Sequence, residues 1–451
     1  MSPKKREEFG TAPLGKLLRQ QAIPASIGIL VMSIYGIVDT IFVGRWVGAM
    51  GIAAITVVMP ITFLISSIGM AIGIGGASII SRSFGKDNDQ KAFRTFGNQV
   101  MLTSTLAVLF MLLGFYFMDE ILMLFGGKGE ALGPAREYFR IVLYGVPFLA
   151  WAMMSNNIIR AEGYPRVAMF ILVIPAVGNI ILDPILIIAL DMGIEGAAWA
   201  TAISYMASAA YTIIYFIFGK GELKIQLRHL IPDWRLIREI FAIGSVTLAR
   251  QGTISLLSIV LNNTLFAYGG ELGLSTYGII NRVMMFANFP VLGITQGFVP
   301  IVGYNHGAEL EGRVNKIINI SVRSASLIAM GIFAGIMLGA PYIVRIFTED
   351  QALIEATIPA MRLSFLATPL LAFSLLGSAY FQAIGKATSA LLLALTKQGF
   401  FLIPLVLLLP LLFNLTGVWM AFPIADLGAA LISYWYLAKK GKRIELIPSA
   451  G

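Results

Sequence analysis

Twelve apolar runs, each long enough to cross a lipid bilayer, follow one another along the chain. About 20 helical residues, rising about 1.5 Å each, cover the ~30 Å hydrocarbon core of a membrane. The chain is 57% hydrophobic and 13% charged, whereas soluble domains carry about 25% charged residues. These features predict an all-α polytopic membrane protein with twelve transmembrane helices. The runs lie near residues 21–43, 51–80, 95–118, 137–159, 167–190, 194–218, 238–267, 275–304, 317–346, 357–382, 388–413 and 415–438.

Basic residues are concentrated in every second connection between these runs. The intervening connections are poorer, and three of them, Asp191–Gly196, Tyr268–Leu274 and Phe413–Gly417, contain no Lys or Arg. Cytoplasmic loops carry the excess of Lys and Arg, so we expect a multi-pass protein of the plasma (inner) membrane with both termini in the cytoplasm. The net charge of +9 is explained by these loops and predicts no nucleic-acid partner. The basic set includes Lys4, Lys5, Arg6, Arg82, Lys86, Lys91, Arg94, Arg160, Arg166, Lys220, Lys224, Arg228, Arg235, Arg238, Lys439, Lys440, Lys442 and Arg443.

The chain is an internal duplication with a constant spacing. Pro147 and Pro369 are 222 residues apart, as are Gly75 and Gly297. Two six-helix copies that both begin inside the cell are parallel repeats, related by an axis along the membrane normal. The duplication predicts an N-lobe at 1–218, a cytoplasmic linker at 219–236 and a C-lobe at 237–451. Other pairs at the same spacing are Arg140 and Arg362, Gly163 and Gly385, Gly85 and Gly307, and Phe125 and Phe347.

The first apolar run, Ala22–Val43, contains a proline, Pro24, and a carboxylate, Asp39. A charge inside a membrane helix is costly and usually marks an ion or substrate pathway. Met32, Tyr35 and Asp39 have the spacing of one helix face. In the second repeat, Asp39 aligns with Leu261, next to the neutral Asn262 and Asn263. Scaffold duty alone does not explain a carboxylate present in only one copy.

Three further N-lobe residues share this asymmetry. Asn179, Asp183 and Thr201 align with Phe401, Leu405 and Phe422, the last with a one-residue gap. Asn179 and Asp183 lie one helical turn apart, and Pro184 deprives the Ile180 carbonyl of its helical N–H partner. The sequence therefore predicts an all-oxygen site for H⁺ or Na⁺ formed by Asp39, Asn179, Asp183 and Thr201, with no other cofactor. The alternative is that both carboxylates are structural and bonded to Tyr or Thr hydroxyls.

Other polar residues inside the runs have two interpretations each. Asn156 and Asn157, with Met32 and Tyr35, are candidates for lining a substrate cavity, although the two asparagines could equally pair helices through amide hydrogen bonds. Lys397 and Asp426 are expected to form a structural pair or to extend toward the membrane surface. Arg250 and Arg282 are open to the same interpretation.

Several stretches resemble the multidrug and toxic compound extrusion (MATE) family. They are IVDTIFVGRWVG, SRSFGKDNDQKAF, NNIIRAEGYPRVAM, NIILDPILI and GIEGAAWATAIS. By this resemblance, Asp39, Asn179, Asp183 and Thr201 fall on the N-lobe cation site of the DinF-like branch, with Tyr35 and Asn156 nearby. Pro24 matches the proline at which the first helix is proposed to bend. The chain departs from the NorM-like branch, because Ser245–Phe266 and Arg362–Phe381 contain no Asp or Glu.

The resemblance implies a monomeric secondary exporter of amphipathic, cationic organic compounds, with small-molecule drugs and lipids as its partners. The runner-up is a flippase for lipid-linked precursors, which belongs to the same superfamily. A flippase for an anionic pyrophosphate should line its cavity with Arg or Lys, whereas the N-lobe helices offer carboxylates. A membrane-embedded enzyme is disfavoured because the chain has no Cys and no HExxH, GxSxG or P-loop motif.

Overall fold

The computed structural model describes residues 1–439, and all regular structure within them is helical. Lys440, Lys442 and Arg443 of the predicted cytoplasmic tail, and the end of the predicted C-lobe at 440–451, lie outside the described residues. The α-helices, numbered in chain order, are α1 Pro3–Thr11, α2 Leu14–Phe42, α3 Ala49–Gly85, α4 Asp89–Tyr116, α5 Met118–Leu124, α6 Leu132–Ala161, α7 Pro165–Asp183, α8 Gly193–Phe218, α9 Trp234–Gly307, α10 Glu311–Phe347, α11 Gln351–Ser364, α12 Leu371–Ala383, α13 Ala387–Leu395, α14 Ile403–Leu408 and α15 Pro410–Lys439. Single π-helical segments occupy Val43–Val47, Pro184–Ala189 and Thr396–Leu402, and 3₁₀ turns occupy Gly129–Ala131, Leu227–His229 and Thr368–Leu370.

Eleven helical stretches in residues 1–439 are long and apolar enough to cross a membrane. One of them, α9, has 74 residues and is interrupted at Gly270, with φ 57° and ψ −150°. Only glycine adopts such a backbone readily, and Gly270 lies in the predicted connection Tyr268–Leu274, so α9 supplies two spans. A similar break at Asn414, with φ 50°, falls in the predicted connection Phe413–Gly417. The prediction of an all-α, multi-span membrane fold is confirmed.

The described chain divides into two compact units. The N-unit comprises Met1–Thr11 and Ile27–Thr247, and the C-unit comprises Ala12–Ser26 and the described residues from Leu248 onward. The start of α2 therefore belongs to the C-unit, and the start of α9 belongs to the N-unit. The predicted lobes 1–218 and 237–451 and the linker 219–236 were drawn from the repeat alone and stay a prediction.

Two glycines related by the repeat explain how these exchanged segments are held. In the N-unit, a Cβ atom at Gly75 would collide with the carbonyl oxygen of Ile240, at the start of α9. In the C-unit, a Cβ atom at Gly297 would lie 2.9 Å from the backbone nitrogen of Ala22, at the start of α2. Small residues let membrane helices approach backbone to backbone. The same crossing therefore occurs once in each unit, at equivalent glycines.

Each unit contains its own apolar core. In the N-unit, buried side chains of α3, α6 and α8 pack together, with Val58, Phe139 and Ala198 fully buried. In the C-unit, Leu261 and Ile280 of α9 pack with residues of α10, α11, α14 and α15. The N-unit core holds α6 and α8 beside each other, which fixes the position of the polar residues described next.

Candidate functional site

The four residues predicted to bind a cation come together inside the N-unit. Asp39 lies near the end of α2, Asn179 and Asp183 occupy the last two turns of α7, and Thr201 lies in α8. All four are buried, and the two α7 residues have no exposed surface at all. The Asp39 and Asp183 side chains are within hydrogen-bonding reach of one another. The structure thus gathers the predicted oxygen ligands, while their assignment to cation binding stays a prediction.

Asn179 links the carboxylate of Asp183 to Thr201. Its atoms are best satisfied when the amide nitrogen donates to Asp183 Oδ2 at 2.7 Å and the amide oxygen accepts from Thr201 Oγ1 at 3.2 Å and Thr201 N at 3.3 Å. With the amide turned over, only a donation from Nδ2 to Thr201 Oγ1 at 3.2 Å remains. We favour the first orientation because it pairs a donor with the buried carboxylate. Asn179 therefore fixes the side chain of Asp183 against α8.

One oxygen of each carboxylate is left without a partner. Oδ1 of Asp39 and Oδ1 of Asp183 are both buried, and neither accepts a hydrogen bond from any described residue. An unpaired buried carboxylate oxygen is energetically costly. A proton shared by the pair or a monovalent cation bound between the two groups would remove this cost. The geometry therefore favours a site that binds and releases a proton or a cation. It does not fit a structural pair whose hydrogen bonds are all satisfied.

Three tyrosines surround these carboxylates. Tyr35 of α2 and Tyr138 of α6 both interact through their hydroxyls with Thr201, and Tyr205 of α8 interacts with Tyr35. Tyr35 was expected near the site, but Tyr138 and Tyr205 were missed by the sequence analysis. Tyr205 follows Thr201 by one helical turn, a spacing that could have identified it. Tyr138 carries no comparable signal, because its α6 position becomes meaningful only when α6 packs on α8.

Both carboxylate-bearing helices change winding beside the site. The last residues of α2 lead into the π-helical segment Val43–Val47, and α7 ends at Asp183, directly before the π-helical segment Pro184–Ala189. These two segments contact each other. Pro184 cannot donate a backbone hydrogen bond, which disfavours continued α-helical pairing at this point. Single π-turns frequently mark functional positions in helices.

The equivalent positions of the C-unit form an apolar cluster. The counterparts of the four N-unit residues are Leu261, Phe401, Leu405 and Phe422. Leu261 and Phe422 are buried in one hydrophobic core, and Phe401 and Leu405 are partly buried and pack against it. Leu261 is fully buried within it. The duplication has therefore produced a polar cluster in one unit and ordinary core packing in the other.

The family model described as MatE matches residues 24–185 and 248–427, one match in each half of the internal repeat. The chain belongs to the MATE family. It is 29% identical over 430 residues to the multidrug export protein MepA of Staphylococcus aureus, covering 94% of this chain and 95% of that protein. It is also similar to two crystal structures of a MATE protein, one in the bent and one in the straight conformation. Each has a TM-score of 0.92 and 25% identity, and the alignment covers 98% of both chains.

The remaining candidate residues of this MATE chain take different positions. Asn156 is buried, donates from Nδ2 to the Ala168 carbonyl at 2.6 Å and accepts from Arg160 Nη2 at 2.8 Å. Asn157 donates to the carbonyl of Met153 at 3.0 Å in its own helix. These bonds favour helix pairing for Asn156 over cavity lining. Met32 is 36% exposed, and its role in lining a substrate cavity stays a prediction.

A close ion pair lies within the described spans of the C-unit of this MATE chain. Lys397 Nζ lies 2.5 Å from Asp426 Oδ1, joining the π-helical segment Thr396–Leu402 to α15, and the Asp426 side chain is only 7% exposed. Arg250 is half-buried and Arg282 is exposed, both in α9. The contact between Lys397 and Asp426 agrees with the interpretation of a structural pair.

A pair of substitutions tests this structural role. Lys397→Met alone should lower the free energy of unfolding by about 3–5 kcal/mol, because it leaves the buried Asp426 carboxylate without its partner. Asp426→Asn should cost less, because the Lys397 side chain is 25% exposed. The double variant Lys397→Met/Asp426→Leu should recover most of that loss, since both charges are gone. The measurement is thermal unfolding of the purified protein in detergent, together with substrate export by the double variant. A double variant that is stable but inactive would contradict a purely structural pair.

Proposed function

We propose that this MATE protein is a secondary active exporter of amphipathic, cationic organic compounds, driven by H⁺ or Na⁺ entering through the Asp39–Asp183 site. The observation that carries the proposal is the contrast between the two units, a buried carboxylate pair in one and apolar packing in the other. The similarity to a protein named as a multidrug exporter supports export of drugs by this chain. An exporter needs an energy source, and a cation that binds two buried carboxylates supplies one.

The residues at the site have distinct proposed roles. Asp39 and Asp183 hold the proton or Na⁺, Asn179 orients Asp183, and the Thr201 hydroxyl adds a neutral oxygen ligand. A proton removes one negative charge from the buried pair and lets the protonated carboxyl group donate a hydrogen bond to the other carboxylate, whereas Na⁺ would bridge oxygens of both groups. This new pairing draws the ends of α2 and α7 together, which reduces the room beside Met32 and Tyr35 for a cationic substrate. A substrate cation and a coupling cation thus compete for the same negative charge.

We place the hinge for this movement at Pro24 of α2. In this structure α2 runs without a break from Leu14 to Phe42 with Pro24 inside it. The division between the two units falls between Ser26 and Ile27, two residues after this proline. Proline removes the N–H that the Gln20 carbonyl would accept, so the helix is weakest beside the division. The similar solved structures, described as a MATE protein in a bent and in a straight conformation, are compatible with such a hinge.

We also propose that this chain belongs to the DinF-like branch and works as a monomer, as its resemblance to the family implies, with both termini in the cytoplasm, as the distribution of basic residues implies. The runner-up, a flippase for lipid-linked precursors, would be favoured by a cavity lined with Arg or Lys. The gathered groups in the N-unit are carboxylates and hydroxyls instead. The relatives carry the names of exporters, which sets the membrane-enzyme alternative aside.

Substitutions at equivalent positions of the two units test the proposal. Asp39→Asn is nearly isosteric and should abolish coupled efflux while leaving yield and melting temperature close to wild type. Asp183→Leu gives the N-unit the residue of the C-unit and should also stop transport. The matched control, Leu405→Ala at the equivalent C-unit position, should cost at most a few kcal/mol of stability and keep transport.

The measurement is substrate efflux from vesicles with an imposed H⁺ gradient or an imposed Na⁺ gradient, applied separately, which also identifies the coupling ion. Wild-type efflux by Asp39→Asn would remove the role given to this carboxylate. Equal loss of transport in Asp183→Leu and Leu405→Ala, with both proteins folded, would contradict a site confined to one unit.

Distances between α2 and α7 test the hinge. The chain has no cysteine, so cysteines introduced at the exposed positions Ile34 and Ile181 carry spin labels uniquely. The label-to-label distance should shorten when the buffer is changed from neutral to acidic, or when Na⁺ is added. Complete conversion of the population from one conformation to the other, from 1:99 to 99:1, requires about 5.5 kcal/mol of differential binding energy. A partial shift in the distance distribution is therefore sufficient support for the hinge.

Asp39→Asn/Asp183→Asn in the labelled background is the control. A distance change that persists in this double variant would show that neither carboxylate triggers the movement. A constant distance in the labelled protein under all conditions would remove the hinge.

A further inference from the structure

The connection between α8 and α9, together with the first residue of α9, exposes large apolar side chains at the end of the membrane spans. Leu227 is 84% exposed, Ile231 is 65% exposed and Trp234, at the first residue of α9, is 79% exposed. Basic residues alternate with them, including Arg228 and His229. Exposed Trp and aliphatic side chains beside basic residues are typical of a segment that lies in the membrane–water interface.

This connection is held rigidly against the start of α4. A Cβ atom at Gly97 of α4 would collide with the carbonyl oxygen of His229, so the two backbones touch. The Asn98 side chain donates to the Ile231 carbonyl at 3.3 Å and accepts from the Asp233 backbone N–H at 2.8 Å. The apolar and basic side chains are therefore presented from a fixed backbone at the end of a membrane span.

A cavity of about 510 Å³ lies between the connection and α4. Arg94 Nη2 pairs with Asp233 Oδ2 at 3.1 Å, and this carboxylate offsets the positive charge that Arg94 contributes to the cavity. Arg228 donates from Nε to Gln226 Oε1 at 2.8 Å, and no carboxylate within residues 1–439 forms an ion pair with it. The cavity is therefore positively charged and partly aromatic. Its lining residues are Gln90, Phe93, Arg94, Arg228, His229 and Ile231.

The imidazole of His229 lies beside these positive charges, and its pKa responds to them. Its ring stacks on Phe93 with centroids 5.8 Å apart, and its Nδ1 is buried without a hydrogen-bond partner among the described residues. Burial lowers the pKa of His229, and the positive charges of Arg228 and Arg94 lower it further. An anion placed between these arginines would oppose their effect on the imidazole.

We propose that this cavity binds the phosphate of an anionic phospholipid headgroup, while Leu227, Ile231 and Trp234 insert into the adjoining interface. Arg228 and Arg94 supply charge-assisted hydrogen bonds to the phosphate, and His229 adds a donor when it is protonated. Basic pockets at the ends of membrane spans are suited to lipid headgroups. The exposed apolar side chains distinguish a lipid from a free phosphate, because a soluble anion has no acyl chains to contact them.

The imidazole pKa of His229 provides a test that involves no transport. The chain contains two histidines, so the variant His306→Gln leaves one imidazole signal for NMR. This protein is reconstituted in nanodiscs of phosphatidylcholine alone or with phosphatidylglycerol. Phosphatidylglycerol should raise the pKa of His229 by about one unit, the order expected for a phosphate a few ångströms away in a partly solvated site.

Two variants in the His306→Gln background make the result specific. Arg228→Gln should remove most of the difference between the two lipid compositions. Arg235→Gln removes an exposed arginine, seven residues after Arg228, that does not line the cavity, and it should leave the difference unchanged. Equal loss in both variants would reduce the effect to surface potential and overturn the site.

Inorganic phosphate added to phosphatidylcholine nanodiscs separates the two sources of the anion. If millimolar phosphate reproduces the full shift, the cavity is a site for a soluble anion and the lipid proposal is wrong. No shift with phosphatidylglycerol would exclude the proposal outright. Because the readout is a pKa, these outcomes are independent of whether the proposed export function holds.

Discussion

The structure of the N-unit depends on two carboxylates that face each other away from water. Asp39 and Asp183 come from helices far apart in sequence, and each presents one buried oxygen that no described residue satisfies. Ionised groups in such surroundings are costly unless a cation or proton compensates them. The amide of Asn179 and the hydroxyls of Thr201 and the nearby tyrosines stabilise the arrangement, but they do not supply a positive charge. The stability of this cluster therefore depends on whether a proton or a cation is bound to the two carboxylates.

The internal duplication separates this chemistry from the scaffold. Features shared by both copies, such as Gly75 and Gly297, serve helix packing, because each glycine lets another helix cross at backbone distance. The carboxylates of the N-unit site, such as Asp39 against the fully buried Leu261, have no cationic partner among the described residues, unlike Asp426, which pairs with Lys397, and we assign them to the proposed function. A membrane scaffold gains little from a buried carboxylate that its own repeat replaces with leucine. This contrast is the strongest argument that the polar cluster was retained for ion binding.

The sequence was sufficient for the parts that follow from local patterns. Apolar run lengths predicted the spans, and the break at Gly270 lies in a predicted connection. The repeat identified four polar residues that the structure brings together. It could not reveal Tyr138, whose role arises from packing between α6 and α8. Nor could it show that the starts of α2 and α9 join opposite units, because this exchange depends on backbone contacts distant in sequence.

The protonation state of the aspartates tests the central claim most directly. Infrared difference spectra between acidic and neutral buffer, recorded on protein with isotope-labelled aspartate, report the C=O stretch of protonated carboxyl groups. A shared proton predicts an aspartate band in acidic buffer that Asp39→Asn and Asp183→Asn each remove, and that Na⁺ diminishes if Na⁺ occupies the same oxygens. An aspartate band that persists unchanged in both variants, or no titrating band in the wild-type protein, would contradict a shared cation site at this pair.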